Sequence, residues 1–123
     1  MPQYCEGLPI LRFLQQQALA VITHLAQEKA AHIDKKIGKI TLRDTASRWG
    51  SCAHNGNLSF SWRIVMAPPL VIDYLAAHEV AHLKEMNHGP NFWALCERLC
   101  PRSDEAKAWL KRHGTMLHAI NFD

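Results

Sequence analysis

The sequence predicts an α+β fold in which one layer of helices covers a small antiparallel sheet. Apolar residues recur with helical spacing near both ends of the chain, whereas alternating, turn-flanked segments suited to strands lie between about residues 39 and 62. The 123 residues fit one domain, and 48 % hydrophobic with 20 % charged residues excludes a disordered chain. We therefore expect a single domain over residues 1–123.

The first predicted element is a helix over Ile10–His32 that ends before Gly38. Its apolar residues recur at helical spacing: Ile10, Leu14, Ala18, Val21, Leu25 and Ala26. The following segment, Lys39–Arg43, alternates polar and apolar residues, which favours a half-buried strand.

A β-hairpin is predicted next. Ser47–Cys52 and Leu58–Trp62 flank the turn sequence His54-Asn55-Gly56-Asn57, and Asn-Gly tolerates the positive φ angles that tight turns need. After the break at Pro68-Pro69, the segment Leu70–Glu85 has no Gly or Pro and predicts a central helix that is buried over much of its surface.

Two further helices complete the chain. Asn91–Leu99 is predicted as a short helix ended by Pro101, and a last helix is predicted from Ser103 to about Leu117 with an interruption at Gly114. The predicted order is therefore one helix, a small antiparallel sheet and three helices.

The N-terminus has neither the basic stretch nor the long apolar segment of a secretory signal, and no segment is apolar enough to span a membrane. None of the four cysteines, Cys5, Cys52, Cys96 and Cys100, forms a CxxC pair. We expect a cytoplasmic protein with reduced thiols. The net charge of +3 is too small to indicate a nucleic-acid-binding protein by itself.

One motif predicts a metal centre. His78-Glu79-Val80-Ala81-His82, an HExxH sequence, lies within the predicted central helix. Residues four apart share one face of a helix, so the imidazoles of His78 and His82 can bind one Zn²⁺ ion at ~2.0–2.1 Å. Glu79 follows the first histidine, where its carboxylate can accept a proton from water that the metal activates.

A third ligand is predicted at His88, six residues after His82 and beyond the helix break at Asn87. A chain reversal at Asn87 would bring His88 back over the metal, and Glu97 on the next helix is the alternative ligand. A purely structural histidine cluster is the competing interpretation, but burying two His and one Glu without a ligand is costly. We therefore expect one Zn²⁺ per chain.

Several motifs in the chain resemble those of one family of hydrolases. They are Arg48-Trp49-Gly50-Ser51-Cys52, Gly56-Asn57-Leu58-Ser59-Phe60-Ser61-Trp62-Arg63, Ala67-Pro68-Pro69, Val71-Ile72-Asp73-Tyr74, His78–Leu83, Asn87-His88 and Phe92-Trp93. In this order they closely resemble the YgjP-like metal-dependent hydrolases over about residues 36–101. Metzincins share the histidine spacing, but they carry Gly where this chain has Glu85.

The resemblance implies a zincin-like metallopeptidase, distantly related to the SprT and WLM proteases, that acts on a peptide or protein substrate. It implies His78, His82 and His88 as zinc ligands and Glu79 as the catalytic base. Members of this family usually carry a further N-terminal half of roughly domain size. We therefore expect the chain to be either a naturally short member or the C-terminal half of that longer architecture.

Neighbouring residues have alternative interpretations. Arg48 suits a substrate carboxylate, although pairing with a local acid such as Asp44 is favoured. Cys52 would need a positioned base to act as a nucleophile, and Tyr74 would either polarise a substrate carbonyl or pack in the core. The large aromatic residues are interpreted as core rather than as a binding stripe: Trp49, Trp62, Phe92, Trp93 and Trp109.

Two other functions remain open at this stage. One is a DNA-associated protease, in which a basic strip contacts phosphates; its members are Lys35, Lys36, Lys39, Arg43 and Arg48. The other is a non-catalytic module that zinc stabilises. An intact Glu79 favours an enzyme over this module.

The substrate is expected to lie along a strand beside the metal helix, paired through main-chain hydrogen bonds. Leu58–Trp62 is the predicted strand because only a short connection separates it from that helix. Its alternation directs Leu58, Phe60 and Trp62 toward the core and leaves Asn57, Ser59 and Ser61 as candidate substrate-binding residues.

Overall fold

The computed structural model describes residues 7–44 and 48–119, and these form the predicted α+β arrangement. The elements are α1 (Gly7–His32), β1 (Ile40–Arg43), β2 (Gly50–Cys52), β3 (Leu58–Ser61), a 3₁₀ helix (Trp62–Met66), α2 (Pro69–Ala81), α3 (Pro90–Leu99) and α4 (Ser103–Ala119). Two residues used in the sequence predictions, Cys5 and Ser47, lie outside the described residues.

The long helix α1 packs through small residues. Ala18, Ile22, Ala26 and Ala30 follow one another at four-residue spacing and are all at most 3 % exposed. Ile10 and Val21, which the periodicity assigned to the apolar face, are exposed instead. The buried stripe is therefore mostly alanine, which lets α1 approach its neighbours closely, while Leu14 and Leu25 are only partly buried against the core.

The sheet is mixed, so the prediction of an antiparallel sheet is wrong in one pairing. The strand order is β1-β3-β2, in which β3 pairs antiparallel with β2 and parallel with β1. Alternation specifies which face a strand buries but not which neighbour it pairs with. In the observed register Ile40 lies beside Leu58 and Leu42 beside Phe60, which puts the apolar residues on the same face.

The predicted hairpin is present between β2 and β3. The amide of Ala53 donates to the carbonyl of Asn57 at 2.9 Å, and Gly56 has a φ of +90°. Asn57 has a structural role here, because its side-chain oxygen accepts the Lys39 amide at 2.8 Å. A Cβ on Gly38 would collide with that same oxygen, so a larger residue there would displace the Asn57 side chain from the Lys39 amide.

The central helix α2 is buried on nearly all sides, as predicted, with Pro69 at its first position. It ends at Ala81, four residues before the predicted end. The amides of Leu83 and Lys84 bond back to Val80 and Ala81, respectively, so the chain continues in tight turns instead of further helix. His82 consequently caps the helix.

The C-terminal helices hold α2 in place. Helix α4 runs through Gly114 without the predicted interruption. A Cβ on Gly114 would lie 3.3 Å from the Trp49 ring, so the absent side chain leaves room for that ring. The buried Lys29 of α1 binds Asp73 of α2 at 2.7 Å and the carbonyl of Leu99 at 2.9 Å, which joins three helices.

No helix among the described residues is long and apolar enough to cross a membrane.

Candidate metal centre

The structure brings the three predicted histidines together. His78 lies in the last turn of α2, His82 at its cap, and His88 in the loop before α3. One ring nitrogen from each lies within 4.8 Å of the other two, and Nε2 of His82 is 3.0 Å from Nε2 of His88. Nitrogens that bind one tetrahedral ion at ~2.0–2.1 Å would be about 3.4 Å apart. The three imidazoles therefore fit a single ion of this kind with little movement.

Backbone geometry fixes the orientation of the His82 ring. Its Nδ1 lies 3.1 Å from the carbonyl oxygen of Glu85. A carbonyl oxygen only accepts hydrogen bonds, so Nδ1 carries the proton and Nε2 is left with the lone pair that a metal needs. This contact forms because α2 ends at Ala81. The turns that follow bring the Glu85 carbonyl oxygen to Nδ1 of His82.

Tyr74 supports His78 in a similar way. Its hydroxyl lies one helical turn earlier and is 3.2 Å from Nδ1 of His78. When Nδ1 donates to this hydroxyl, Nε2 of His78 carries the lone pair that a metal needs. Of the two interpretations of Tyr74 considered from the sequence, packing is closer to what is observed, since its side chain is buried and holds a metal-facing histidine.

Two aromatic residues of α3 position the histidine cluster. The fully buried Phe92 ring stacks on His82 at a centroid distance of 4.3 Å and meets His78 and His88 edge-on. Trp93 lies nearly parallel to the His88 ring, and its indole N–H donates to the His88 carbonyl at 3.1 Å. The ammonium of Lys107 lies 3.9 Å from the centre of the Trp93 ring.

Burial keeps the helix histidines neutral, as metal ligands must be. Burial, together with the positive charges of protonated His82 and His88 and of Lys107, lowers the pKa of His78 to about 4. Burial also lowers the pKa of His82, against the opposing effect of its bond to the Glu85 carbonyl.

Glu79 is packed between α2 and the sheet. Its side chain is 4 % exposed, and burial raises its pKa to about 8, although the positive charge of Arg48 acts in the opposite direction. The absence of a side chain at Gly50 makes this packing feasible: a Cβ there would lie 3.0 Å from Oε2 of Glu79 and 3.1 Å from the Ser59 carbonyl. A cation on the histidines would favour the carboxylate form.

The histidines and Glu79 share one open cavity of about 570 Å³. Its other walls come from α2, β2 and the residues around them: Arg48, Trp49, Gly50, Ser51, Cys52, Tyr74, Leu75, Met86 and Leu110. Burial and the nearby Glu79 raise the pKa of the Cys52 thiol to about 11, so it stays protonated at neutral pH and is a poor nucleophile.

The predicted substrate strand is not at an edge. Because β3 lies between β1 and β2, both of its edges are already paired, so the prediction that a substrate pairs along Leu58–Trp62 is wrong. Asn57, Ser59 and Ser61 are absent from the lining of the 570 Å³ cavity. All three residues of β2 line this cavity instead, and β2 is an outer strand of the described sheet.

Other candidate residues divide between core and site. Trp62 and Phe92 are buried, whereas Trp49, Trp93 and Trp109 are half-buried. The alternative ligand Glu97 is exposed and lies outside the histidine group. Asp44 receives two hydrogen bonds from the guanidinium of Arg63, at 2.7 and 3.3 Å, while Arg48 lines the cavity.

Sequence reasoning missed the supporting roles of Trp93, Lys107 and the Glu85 carbonyl. The HExxH spacing identifies the ligands on one helix, but it carries no information about α3 or α4. The only local signal was the short separation of Trp93 from His88, five residues along the chain.

Three converging imidazoles beside a buried carboxylate in an open cavity are the arrangement of a metal-dependent hydrolase. A family model described as YgjP-like, metallopeptidase domain, matches residues 8–113 of the chain. The chain therefore belongs to the YgjP-like family, which confirms the resemblance seen in the motifs. Comparison with curated proteins finds no match, and comparison with solved structures finds none either.

Proposed function

We propose that this chain is a zinc-dependent peptidase with a zincin-like fold, in which His78, His82 and His88 bind one Zn²⁺ and Glu79 is the general base. The observation that carries this proposal is the convergence of the three histidines with Glu79 in one cavity of about 570 Å³. Three neutral nitrogen ligands suit Zn²⁺ and leave a coordination position for water or substrate.

The metal ion, Glu79 and the residues that hold the ligands have different roles in the proposed reaction. A Zn²⁺ ion held there supplies a Lewis acid that polarises the scissile carbonyl and lowers the pKa of water. Glu79 takes a proton from the attacking water and passes it to the leaving amine. The Glu85 carbonyl keeps His82 in the tautomer with its proton on Nδ1, and the Tyr74 hydroxyl orients the His78 ring.

The substrate backbone is proposed to lie along the outer edge of β2. This strand lines the cavity over its whole length, Gly50–Cys52, and β3 occupies its other edge. An extended peptide can add to such an edge through main-chain hydrogen bonds. Three residues extend about 10 Å, which covers the groups next to a cleaved bond.

The test is a peptide-cleavage screen on zinc-loaded protein with matched variants. Glu79→Gln keeps the side-chain shape but removes the base, so it should keep its zinc and lose a factor of about 10²–10⁴ in rate. Glu28→Gln, an equivalent change at an exposed position of α1, is the control and should cleave like the wild type.

Zinc content is measured alongside cleavage. About one Zn²⁺ per chain is expected, with strong loss in His88→Ala. Cleavage that survives Glu79→Gln would contradict the assigned base. A protein that binds zinc but cleaves no peptide in a broad screen would instead be the non-catalytic zinc-stabilised module, and the proposal of a peptidase would be wrong.

A further inference from the structure

A second cavity, which we call the basic cavity, adjoins the metal centre. Its volume is about 320 Å³, and both charged groups in its wall are arginines. The lining residues are Arg43, Arg48, Gly50, Ser51, Ser59, Phe60 and Ser61. No acidic side chain contributes to this wall in the part of the chain that the structure describes.

Sheet register explains why these polar groups lie together. Arg43 pairs with Ser61 across β1 and β3, and Ser51 pairs with Ser59 across β2 and β3. Side chains that are paired across strands project from the same face. Because Leu58 is buried in the core on the other face, the polar residues gather on the face that carries the basic cavity.

One hydroxyl in this wall lacks a partner. Ser51 and Ser59 bond each other at 2.6 Å, whereas Oγ of Ser61 has no hydrogen-bond partner among the described residues, although Ser61 is 1 % exposed. Buried hydroxyls are nearly always hydrogen-bonded, and one without a partner destabilises the fold. The two guanidinium groups in this wall only donate hydrogen bonds and the Ser61 hydroxyl is able to donate one, so the wall suits a ligand rich in acceptors.

The basic cavity shares part of its wall with the 570 Å³ cavity that contains the three histidines and Glu79, which we call the metal cavity. Arg48, Gly50 and Ser51 line both of them, whereas Arg43 lines only the basic cavity. A peptide along β2 advances about 3.3 Å per residue. A group held in the basic cavity would therefore belong to a residue within about three positions of the bond being cleaved.

We propose that the basic cavity binds a carboxylate of the peptide substrate, carried by an acidic side chain or by a free C-terminus. Planar carboxylates match the fork of donors on an arginine, and the pair can be bidentate. This inference deepens the proposed peptidase function and rests on it for the identity of the ligand as a peptide. Carboxylate binding in the basic cavity makes the enzyme selective for peptides with an acidic side chain or a free C-terminus near the cleaved bond.

Arg43→Gln is the decisive variant, because it removes a charge from the basic cavity without touching the metal cavity. Arg43→Lys keeps the charge but not the fork. Arg12→Gln on α1 is the matched control, since Arg12 is exposed and lines neither cavity. Unchanged zinc content and thermal unfolding establish that each variant is folded.

Binding is measured by fluorescence anisotropy in the zinc-loaded Glu79→Gln background, which is expected to bind without cleaving. The probes are labelled alanine-based hexapeptides with one Glu or one Gln at each position, each with a free or an amidated C-terminus. We expect at least tenfold tighter binding of one carboxylate form over its amide, as for the loss of a hydrogen bond to a charged group. Arg43→Gln should remove that preference, Arg43→Lys should keep part of it, and Arg12→Gln should leave it intact.

The two arms identify the source of the carboxylate: a Glu-over-Gln preference indicates a side chain, and an acid-over-amide preference indicates the C-terminus. Equal binding of all peptides would overturn the proposal. So would a preference that Arg43→Gln leaves undiminished, because the one arginine that lines only the basic cavity would then contribute nothing to carboxylate binding. DNA binding that depends on Arg43, without discrimination among the peptides, would overturn it in favour of a phosphate site.

Failure of the peptidase function gives a different result. If the wild type cleaves no peptide while acidic peptides still bind through Arg43, the basic cavity is supported and the peptidase is not. If the wild type cleaves Glu and Gln peptides, and acid and amide forms, at equal rates, the peptidase is supported and the basic cavity as a carboxylate subsite is overturned.

Discussion

Glu79→Gln should raise the free energy of unfolding of the metal-free protein, although the same change removes the catalytic base from the zinc-loaded protein. Glu79 is 4 % exposed and is packed against Gly50, and burial raises its pKa to about 8 despite the charge of Arg48. A buried carboxylate is expensive without a compensating cation. Gln has the same shape but cannot ionise, so the variant avoids this cost at every pH at which Glu79 would lose its proton.

The magnitude follows from the change in pKa. An ordinary glutamate ionises at 4.5, so the unfolded chain releases its proton there, whereas the folded chain holds it up to about 8. Between these values the unfolded state gains stability from ionisation and the free energy of unfolding falls as pH rises. The full change corresponds to about 5 kcal/mol. We expect about 2–5 kcal/mol of advantage for the variant at pH 8 and almost none at pH 4.5, where Glu79 is neutral in the folded protein and only half ionised in the unfolded chain.

Chemical unfolding in urea, after removal of metal with a chelator, measures this difference at pH 4.5, 6 and 8. Each kcal/mol should also raise the melting temperature by about 3–5 °C in a chain of this size. Glu28→Gln, at an exposed site, is the matched control and should show no such pH-dependent gain. Equal stability of Glu79→Gln and wild type at pH 8, or a difference independent of pH, would refute the reasoning.

Two other substitutions test how the site is held together. Trp93→Phe keeps a ring beside His88 but loses the indole N–H that donates to the His88 carbonyl, and it should weaken zinc affinity about tenfold in a competition with a chelator; unchanged affinity would mean that other contacts fix His88. Gly50→Ala places a Cβ 3.0 Å from Oε2 of Glu79, so it should lower kcat at least tenfold while zinc affinity changes less; wild-type kcat would show that Glu79 can shift without losing its role.

The parts of the fold that depend on local spacing were predictable from the sequence. Helix α2 follows from an uninterrupted run of helix formers after Pro69, and the hairpin turn follows from Asn55-Gly56. The convergence of His78 and His82 needs only the helical repeat, which is why the HExxH motif could be interpreted without a structure.

Strand pairing and element ends depended on contacts between distant residues. The alternation in β1 is satisfied equally by a parallel or an antiparallel neighbour, so nothing local indicates that Ile40 lies beside Leu58. The sequence after Ala81 favours helix by propensity, yet the chain turns there and His82 meets the Glu85 carbonyl. The positions of Phe92 and Trp93 beside the histidines likewise depend on the packing of α3 against α2.

Strand β2 contacts Glu79 and lines both the metal cavity and the basic cavity, although it has only three residues. Gly50 leaves room for the Glu79 side chain, because any side chain at position 50 would contact the carboxylate. Ser51 and the preceding Arg48 belong to the walls of both cavities, and Cys52 completes the metal cavity with a thiol that burial keeps protonated. A change in β2 would therefore alter the base, the path of the substrate and the basic cavity together. Arg43 lines only one of the two cavities, so a substitution there separates recognition from catalysis.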